Sequence, residues 1–227
     1  MASLTVENYL KTVLQIQTKR DCERVSPGAL AVRLGVSPGS VTSMLKTLSE
    51  SGLADYVPYE GVALTEAGRR LAMRVLRRHR LIELFLIDTL KMTWDQVHNE
   101  AEVLEHAVSD ILIDRIDTFL GHPATDPHGA PIPAANGELR EISSSVSLDM
   151  CRVGETVKFV QVISQEPGFL RYLSDSGFQL GTIGEIVETN EDGGIIKVSV
   201  NGINFVVGHD AAATIRVELV SSIYPTA

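Results

Sequence analysis

Residues 26–53 read SPGALAVRLGVSPGSVTSMLKTLSESGL, and one short signal occurs in them twice. Ser26-Pro27-Gly28 and Ser37-Pro38-Gly39 each put a hydroxyl at a helix N-cap and a proline at the first helical position, where its fixed φ and missing N–H do no harm. Gly35-Val36 breaks the chain between them. Two short helices joined by a tight glycine-containing turn form a helix-turn-helix. In the second helix Val41, Met44, Leu45 and Leu48 make the core stripe. Ser37, Pro38, Gly39, Ser40, Thr42 and Ser43 crowd its start, with Lys46 one turn on. Small hydroxyl residues there allow close approach to a DNA backbone, and with Ser26 they form the candidate DNA-contact set. None is Arg, Asn or Gln, so direct base readout is expected to be modest.

On the N-terminal side, Val6, Tyr9, Leu10, Val13 and Leu14 recur at helical spacing and predict an amphipathic helix over 4–18. On the C-terminal side, Leu53–Val57 and Val62–Leu64 read as short strands around Pro58-Tyr59-Glu60-Gly61, a wing that completes a winged helix. Thr65 caps a long helix over 66–90, and a second is predicted over about 94–120. GHPATDPHGAPIP (121–133) then ends helical periodicity with repeated prolines and glycines. AANGELREISSSVSL (134–148) is short of large apolar residues and reads as a linker. From 152 the period changes to strands: 156–163, 182–188, 195–200, 203–207 and 214–219. Glu191-Asp192-Gly193-Gly194 and Asn201-Gly202 supply turns, the latter a strong hairpin signal. The expectation is a multidomain α+β chain. Its parts are a winged helix-turn-helix at 1–72, a helical metal-binding and dimerisation domain at 73–135, a linker at 136–150 and a small β-barrel at 151–227.

A net charge of −9 over 227 residues argues against nucleic acid until it is divided. Residues 1–80 hold twelve Lys and Arg against seven Asp and Glu, whereas 81–227 hold eight against twenty-two. Only the first third suits phosphates, and the acidic remainder suits cations. No apolar run reaches bilayer length, and MASLTVENYL has no signal-peptide pattern, so a cytoplasmic protein with no membrane partner is expected. Cys22 and Cys151 lie far apart without CxxC spacing, which reads as two unpaired thiols.

The cation-binding chemistry concentrates in HNEAEVLEHAVSD (98–110). On one continuous helix His98, Glu102, Glu105 and His106 would share an arc of roughly 100°. A solvated face would mix Lys with Glu, and this stretch has neither Lys nor Arg. In RRLAMRVLRRHRL (69–81) most arginines read as a basic solvated face, but His79 and Glu83 form an i, i+4 pair that one metal can bridge. Three His and three Glu on two helices predict a divalent-metal site. A carboxylate-bridged di-metal enzyme is the competing class, but Glu-x-x-His is absent from both helices, as are HExxH and a nucleophile elbow. A metal-binding adaptor that does not touch DNA is a third. Metal-stimulated binding to a palindromic duplex separates all three.

With VENYLKTV (6–13), the helix-turn-helix, RRHRLIELFL (77–86), WDQVHNEAEVLEHAVSD (94–110) and DPHGAPIP (126–133) in view, the chain resembles the metal-dependent transcriptional repressors of the diphtheria-toxin-repressor type. The resemblance covers nearly the whole chain. It implies a winged helix, a helical metal and dimer domain, and a C-terminal barrel like Src-homology-3 domains and the FeoA module. It implies about two metal sites per chain. His79, Glu83 and His98 match an ancillary site, which Glu166 of the loop Gln165-Glu166-Pro167-Gly168 would complete, although Phe169 stands where the family often has Gln. Asn8, Glu102, Glu105 and His106 match the primary site. Helical periodicity alone would leave Asn8 solvated, and Glu7 beside it is the alternative.

Iron-type members carry Met and Cys at the positions of Asn8 and Glu102, and manganese-type members Asp and Glu. With no sulfur donor, the ligand set suits Mn(II), with Fe(II) as the alternative cofactor. The implied function is a manganese-activated, non-enzymatic repressor of metal-uptake genes. It would act as a homodimer on a palindromic double-stranded operator, with Leu104, Val108, Ile111 and Leu112 supplying dimer surface.

Overall fold

The computed structural model describes residues 3–139, 144–190 and 193–220. Part of the expected linker (140–143) and two residues of the Glu191–Gly194 turn lie outside them. The chain forms two compact bodies. The first comprises residues 1–79, 102–114 and 133–139, and the second 80–101, 115–132 and 140–227.

In the first body, Ser3 caps α1 (Leu4–Arg20), and Asp21 ends it in the left-handed region at φ 47°. Ser26 caps α2 (Pro27–Leu34) by accepting from the Ala29 amide, and Gly35 closes it at φ 65°. Ser37 caps α3 (Pro38–Glu50) by accepting from the Ser40 amide. Strands β1 (Ala54–Val57) and β2 (Gly61–Leu64) pair antiparallel with Val57 opposite Gly61, which puts Pro58-Tyr59-Glu60 at the wing tip. Val25 adds a short third rung by exchanging two backbone hydrogen bonds with Val62. Tyr9, Leu10, Val13 and Leu14 of α1 bury with Leu30, Val41, Leu45, Leu48 and Val62 in one core, joined by Ala72, Met73 and Leu76 from α4 (Glu66–Leu90). The expected winged helix is therefore present.

Thr65 fixes the start of α4. Its hydroxyl accepts from the Gly68 amide at 3.1 Å and donates to the Gly52 carbonyl at 2.8 Å. Its own amide bonds the Leu53 carbonyl at 3.2 Å. The helix approaches the wing so closely that a Cβ on Gly68 would sit 1.8 Å from the Leu53 carbonyl oxygen.

One element differs from the sequence expectation. The helix predicted over 94–120 is two helices, α5 (Trp94–Leu104) and α6 (Asp110–Phe119). The amides of Ala107 and Val108 both turn back to the Leu104 carbonyl, at 2.9 and 3.1 Å. Ser109 then starts α6 by accepting from the Leu112 amide at 3.2 Å. A serine suited to capping competes with continuation of the helix. Glu105 and His106 consequently lie in the intervening turn rather than on a helical face.

The second body is built on a six-stranded antiparallel sheet in the order β3-β8-β4-β5-β6-β7. Its strands are β3 (Val146–Ser147), β4 (Thr156–Val162), β5 (Ile183–Asn190), β6 (Ile195–Val200), β7 (Ile203–Gly208) and β8 (Ile215–Leu219). Asn201 and Gly202, both at positive φ, turn β6 into β7 with Val200 opposite Ile203, as the hairpin signal predicts. Register shifts at Phe159/Gln161 and Ile186/Glu188 bend β4 and β5. The expected barrel is not closed, because among the described residues no strand ladder joins β3 to β7. Phe159, Phe178, Leu170, Leu173, Ile186 and Val198 fill the core, with Trp94 of α5 packed against it. An unexpected helix, α7 (Pro167–Asp175), follows Glu166, and a short α8 (His209–Ala212) precedes β8.

Gly68→Ala should destabilise the protein by about 1–3 kcal/mol, the usual cost of overpacking. Gly28→Ala is the comparator, because nothing lies within 4 Å of its would-be Cβ. Urea unfolding of both variants checks this, and equal midpoints would rule out the close approach of helix and wing.

Candidate metal centre

Within the first body, α1, α4 and the turn after α5 converge on Glu105, whose side chain is fully buried. Its Oε1 accepts from Lys11 Nζ at 2.5 Å and its Oε2 lies 2.6 Å from His79 Nδ1. Lys11, itself 3% exposed, also donates to Glu102 Oε1 at 2.7 Å. Arg78 donates to the Glu105 carbonyl at 3.4 Å and to Asp110 Oδ1 at 2.6 Å. That guanidinium holds the Asp110 carboxyl below its ordinary range, with Arg74 adding a smaller pull. One carboxylate oxygen each of Glu102 and Glu105 and a ring nitrogen of His79 form a group within 4.8 Å.

His106 contacts the first of the alternatives at residues 7 and 8. Its Nδ1 lies 2.7 Å from Glu7 Oε2, and a carboxylate only accepts, so Nδ1 carries the proton. Nε2 faces Glu105 Oε1 at 3.2 Å. Nε2 is buried without a hydrogen-bond partner among the described residues, and so is Asn8 Oδ1. Asn8, Glu102, Glu105 and His106 thus offer three oxygen-bearing side chains and one imidazole, with no sulfur. This is a fit for a hard or borderline divalent cation.

The second body holds another buried group. Glu83 on α4 lies 3.3 Å from His98 Nδ1 and 4.0 Å from His128 Nδ1. Glu83, Asp126 and His128 place ligand atoms within 4.8 Å of one another, and all three are buried. Asp126 Oδ1 accepts from the amides of His128 and Ala130, both at 2.9 Å, and its Oδ2 is 3.6 Å from Arg80 Nε. Burial, then the Glu83 charge, raises the Asp126 carboxyl above its ordinary range, with Arg80 opposing. His128 is 1% exposed and neither ring nitrogen has a hydrogen-bond partner among the described residues. The loop is held against β4, where Val162 donates to the His128 carbonyl at 2.8 Å. Gly129 sits at φ 86°, and a Cβ there would meet the Val160 carbonyl oxygen at 2.0 Å.

Of the ligand sets expected from sequence, His79, Glu83 and His98 place ligand atoms within 4.8 Å of one another, and Glu102 and Glu105 group with His79. Glu166 is exposed at the N-cap of α7 and is absent from every group of candidate ligands among the described residues. Phe169 packs against the sheet core. Periodicity is silent in a Pro/Gly-rich loop, so the sequence does not single out Asp126 and His128 as candidate ligands. The signal there is the Asp-x-His spacing inside DPHGAPIP. Nor does the sequence single out Lys11.

In the candidate DNA-contact set, Ser37, Pro38, Gly39, Ser40, Ser43 and Lys46 are exposed and Thr42 is half-buried. Several hydroxyls already have local work: Ser26 and Ser37 cap helices, Ser40 pairs with Ser37 at 2.8 Å, and Thr42 donates to the Pro38 carbonyl at 3.0 Å. A groove of about 480 Å³ runs between α3 and the wing, lined by Thr42, Lys46, Tyr56, Pro58 and Tyr59. Tyr59 at the wing tip is fully exposed at φ 71°, a candidate contact that the sequence reading did not include.

Three family profiles match in succession: the iron-dependent repressor N-terminal DNA-binding domain over residues 1–62, the iron-dependent repressor metal-binding and dimerisation domain over 65–134, and the FeoA domain over 146–219. The iron-dependent repressor IdeR of Mycobacterium tuberculosis is 30% identical over 230 residues, covering 95% of this chain and 97% of that protein. The diphtheria toxin repressor of Corynebacterium diphtheriae is 30% identical, covering 94% and 96%. Among solved structures, a manganese-dependent transcriptional repressor in complex with manganese superposes with a TM-score of 0.87 at 39% identity, covering 95% of this chain and all of that one. The manganese regulator SloR superposes at 0.74 with 31% identity, covering 95% and 98%. A DNA-binding helix-turn-helix, buried donors without sulfur and matches along almost the whole length agree: the chain belongs to the iron-dependent repressor family, the metal-dependent transcriptional repressors that include the diphtheria toxin repressor.

Proposed function

We propose that this repressor is activated by Mn(II), with Fe(II) the alternative, through a primary site of Asn8, Glu102, Glu105 and His106. The observation that carries this reading is a pair of buried polar atoms without hydrogen-bond partners among the described residues, Asn8 Oδ1 and His106 Nε2, the second 3.2 Å from Glu105 Oε1. A divalent cation there would supply positive charge between helix α1 of the DNA-reading body and the segment after α5. The residues do the rest. Glu7 orients the His106 ring by accepting from Nδ1, and loss of such a bond to a ligating histidine commonly weakens metal binding 10–100-fold. Asn8 ties α1 to that segment, so the DNA-reading helix is held at one angle.

In this reading residues 1–72 bind DNA, 73–135 carry the metal and dimer surfaces, and 136–150 lead to the sheet domain at 151–227. The protein works in the cytoplasm as a homodimer on a palindromic operator near metal-uptake genes. No helix among the described residues is long and apolar enough to cross a membrane. Exposed Ile111 and Leu112, at 77% and 48%, suit the dimer surface. The manganese-bound relative supports Mn(II), and IdeR supports the iron alternative. Operator-binding titrations against Mn(II), Fe(II), Co(II) and Zn(II) test the reading. Glu102→Cys should move activation away from Mn(II) toward Fe(II), Co(II) or Zn(II), because a thiolate favours softer metals. An unchanged order of metals would show that ligand hardness does not set selectivity.

For the second site, two ligand sets share Glu83. One is the family pattern His79, Glu83, His98 and Glu166. The other is Glu83, Asp126 and His128, favoured by the two unpartnered His128 nitrogens. His128→Ala should reduce bound Mn(II) from about two ions per chain to one, while Glu166→Ala should leave two, as counted by equilibrium dialysis. The reverse result would favour the family pattern.

The hydroxyl-rich start of α3 implies recognition mostly through phosphates and DNA shape. Operator affinity should then fall steeply with salt, with log K linear in log salt concentration. A loss of about 3 kcal/mol for one central base change, the top of the usual mismatch range, would contradict this.

A further inference from the structure

We propose that Lys11 is a built-in cation that holds the primary site closed to metal and so sets the metal concentration at which the repressor responds. The inference rests on the reading that Glu102 and Glu105 are metal ligands. Lys11 is 3% exposed, an uncommon state for a lysine. Its ammonium donates to Glu102 Oε1 at 2.7 Å and to Glu105 Oε1 at 2.5 Å. Glu105 has no exposed surface, so the pair is screened little by water or salt. The ammonium thus occupies the same oxygens that a divalent cation would need. Two cations sharing one pair of oxygens repel, so the lysine must withdraw, or the metal must bind weakly beside it.

The position on α1 gives this competition a structural consequence. Asn8 and Lys11 are three residues apart, on neighbouring positions of one helical face. With Lys11 engaged, α1 is joined to the turn after α5 through the lysine, while Asn8 Oδ1 is buried without a partner among the described residues. Ligation through Asn8 would replace that join by another at a different point of the helix. Metal binding is then an exchange of latches rather than the tightening of a loose hinge. The metal's net effect is the difference between two cation–carboxylate contacts.

The test compares wild type with Lys11→Gln, Lys11→Met and Lys11→Arg, following free Mn(II) by electron paramagnetic resonance and thermal unfolding of the metal-free protein. Lys11→Gln and Lys11→Met should bind Mn(II) on the order of tenfold more tightly, the scale on which residues around metal ligands tune affinity. Their metal-free forms should melt below wild type, and added Mn(II) should raise their midpoints more. Lys11→Arg, which keeps the charge, should bind Mn(II) no more tightly than wild type. Should Lys11→Met fail to fold, Lys11→Gln against Lys11→Arg decides. Mn(II) affinity unchanged or weakened in Lys11→Gln, or raised equally in Gln and Arg, overturns the proposal. Glu105→Ala tests the ligand assignment separately: if it binds Mn(II) like wild type, that assignment falls and the Lys11 proposal with it.

Discussion

Glu105 is the constraint around which the first body is arranged. A fully buried carboxylate is tolerable only if its charge is met by close donors. Here Lys11 comes from α1 and His79 from α4, and both reach the carboxylate in the turn after α5. Removing one partner of such a pair typically costs about 3–5 kcal/mol, because the other charge stays buried. Three elements far apart in sequence are therefore held to one side chain. The winged helix is fastened through α1 to the same carboxylate that the metal reading requires as a ligand. Folding and sensing use one contact.

The break between α5 and α6 serves this arrangement. A single helix over 94–120 would keep Glu105's own amide and carbonyl within its ladder. In the observed turn the Glu105 carbonyl is open to Arg78, and that guanidinium also binds Asp110 at the start of α6. Arg78 thus bridges the turn and the next helix. Arg77 does similar work nearby by donating to the Pro133 carbonyl at 2.9 Å. Arginines that look like a solvated basic face in sequence are here buried clamps on backbone carbonyls, which suits a planar, multiply donating cation.

What sequence made legible follows from which signals are local. The two Ser-Pro caps, the wing, the hairpin at Asn201-Gly202 and the strands from 156 onward depend on neighbours within a few residues, and all are found. The break at 105–109 was missed because Ser109 was read as an interior residue rather than a cap. The arginine clamps and Lys11 were missed for a different reason. Their partners lie tens of residues away, and no spacing rule connects position 11 to position 105. Asp126 and His128 fall in a loop, where neither helical nor strand periodicity says which way a side chain points. Glu166, by contrast, was assigned on family pattern alone. It stands exposed at the N-cap position of α7 and belongs to none of the candidate ligand groups among the described residues.

The proposed primary site differs from an all-carboxylate manganese site in two respects that act in one direction. In the proposed set Asn8 would contribute a neutral amide oxygen where the family resemblance leads to the expectation of a carboxylate, so one negative charge is missing. Lys11 adds a positive charge on the oxygens of the other two acids. Both lower the local negative potential and hence the affinity for any divalent cation. Neither alters the hardness of the donors, which remain oxygen and imidazole. Hardness governs the ranking of metals, and charge governs the concentration at which the first of them binds. A site built this way keeps a preference for hard ions while ignoring them when they are scarce. That combination suits a repressor that must stay off DNA until its metal is in surplus, and it is reached without changing a single donor atom to sulfur.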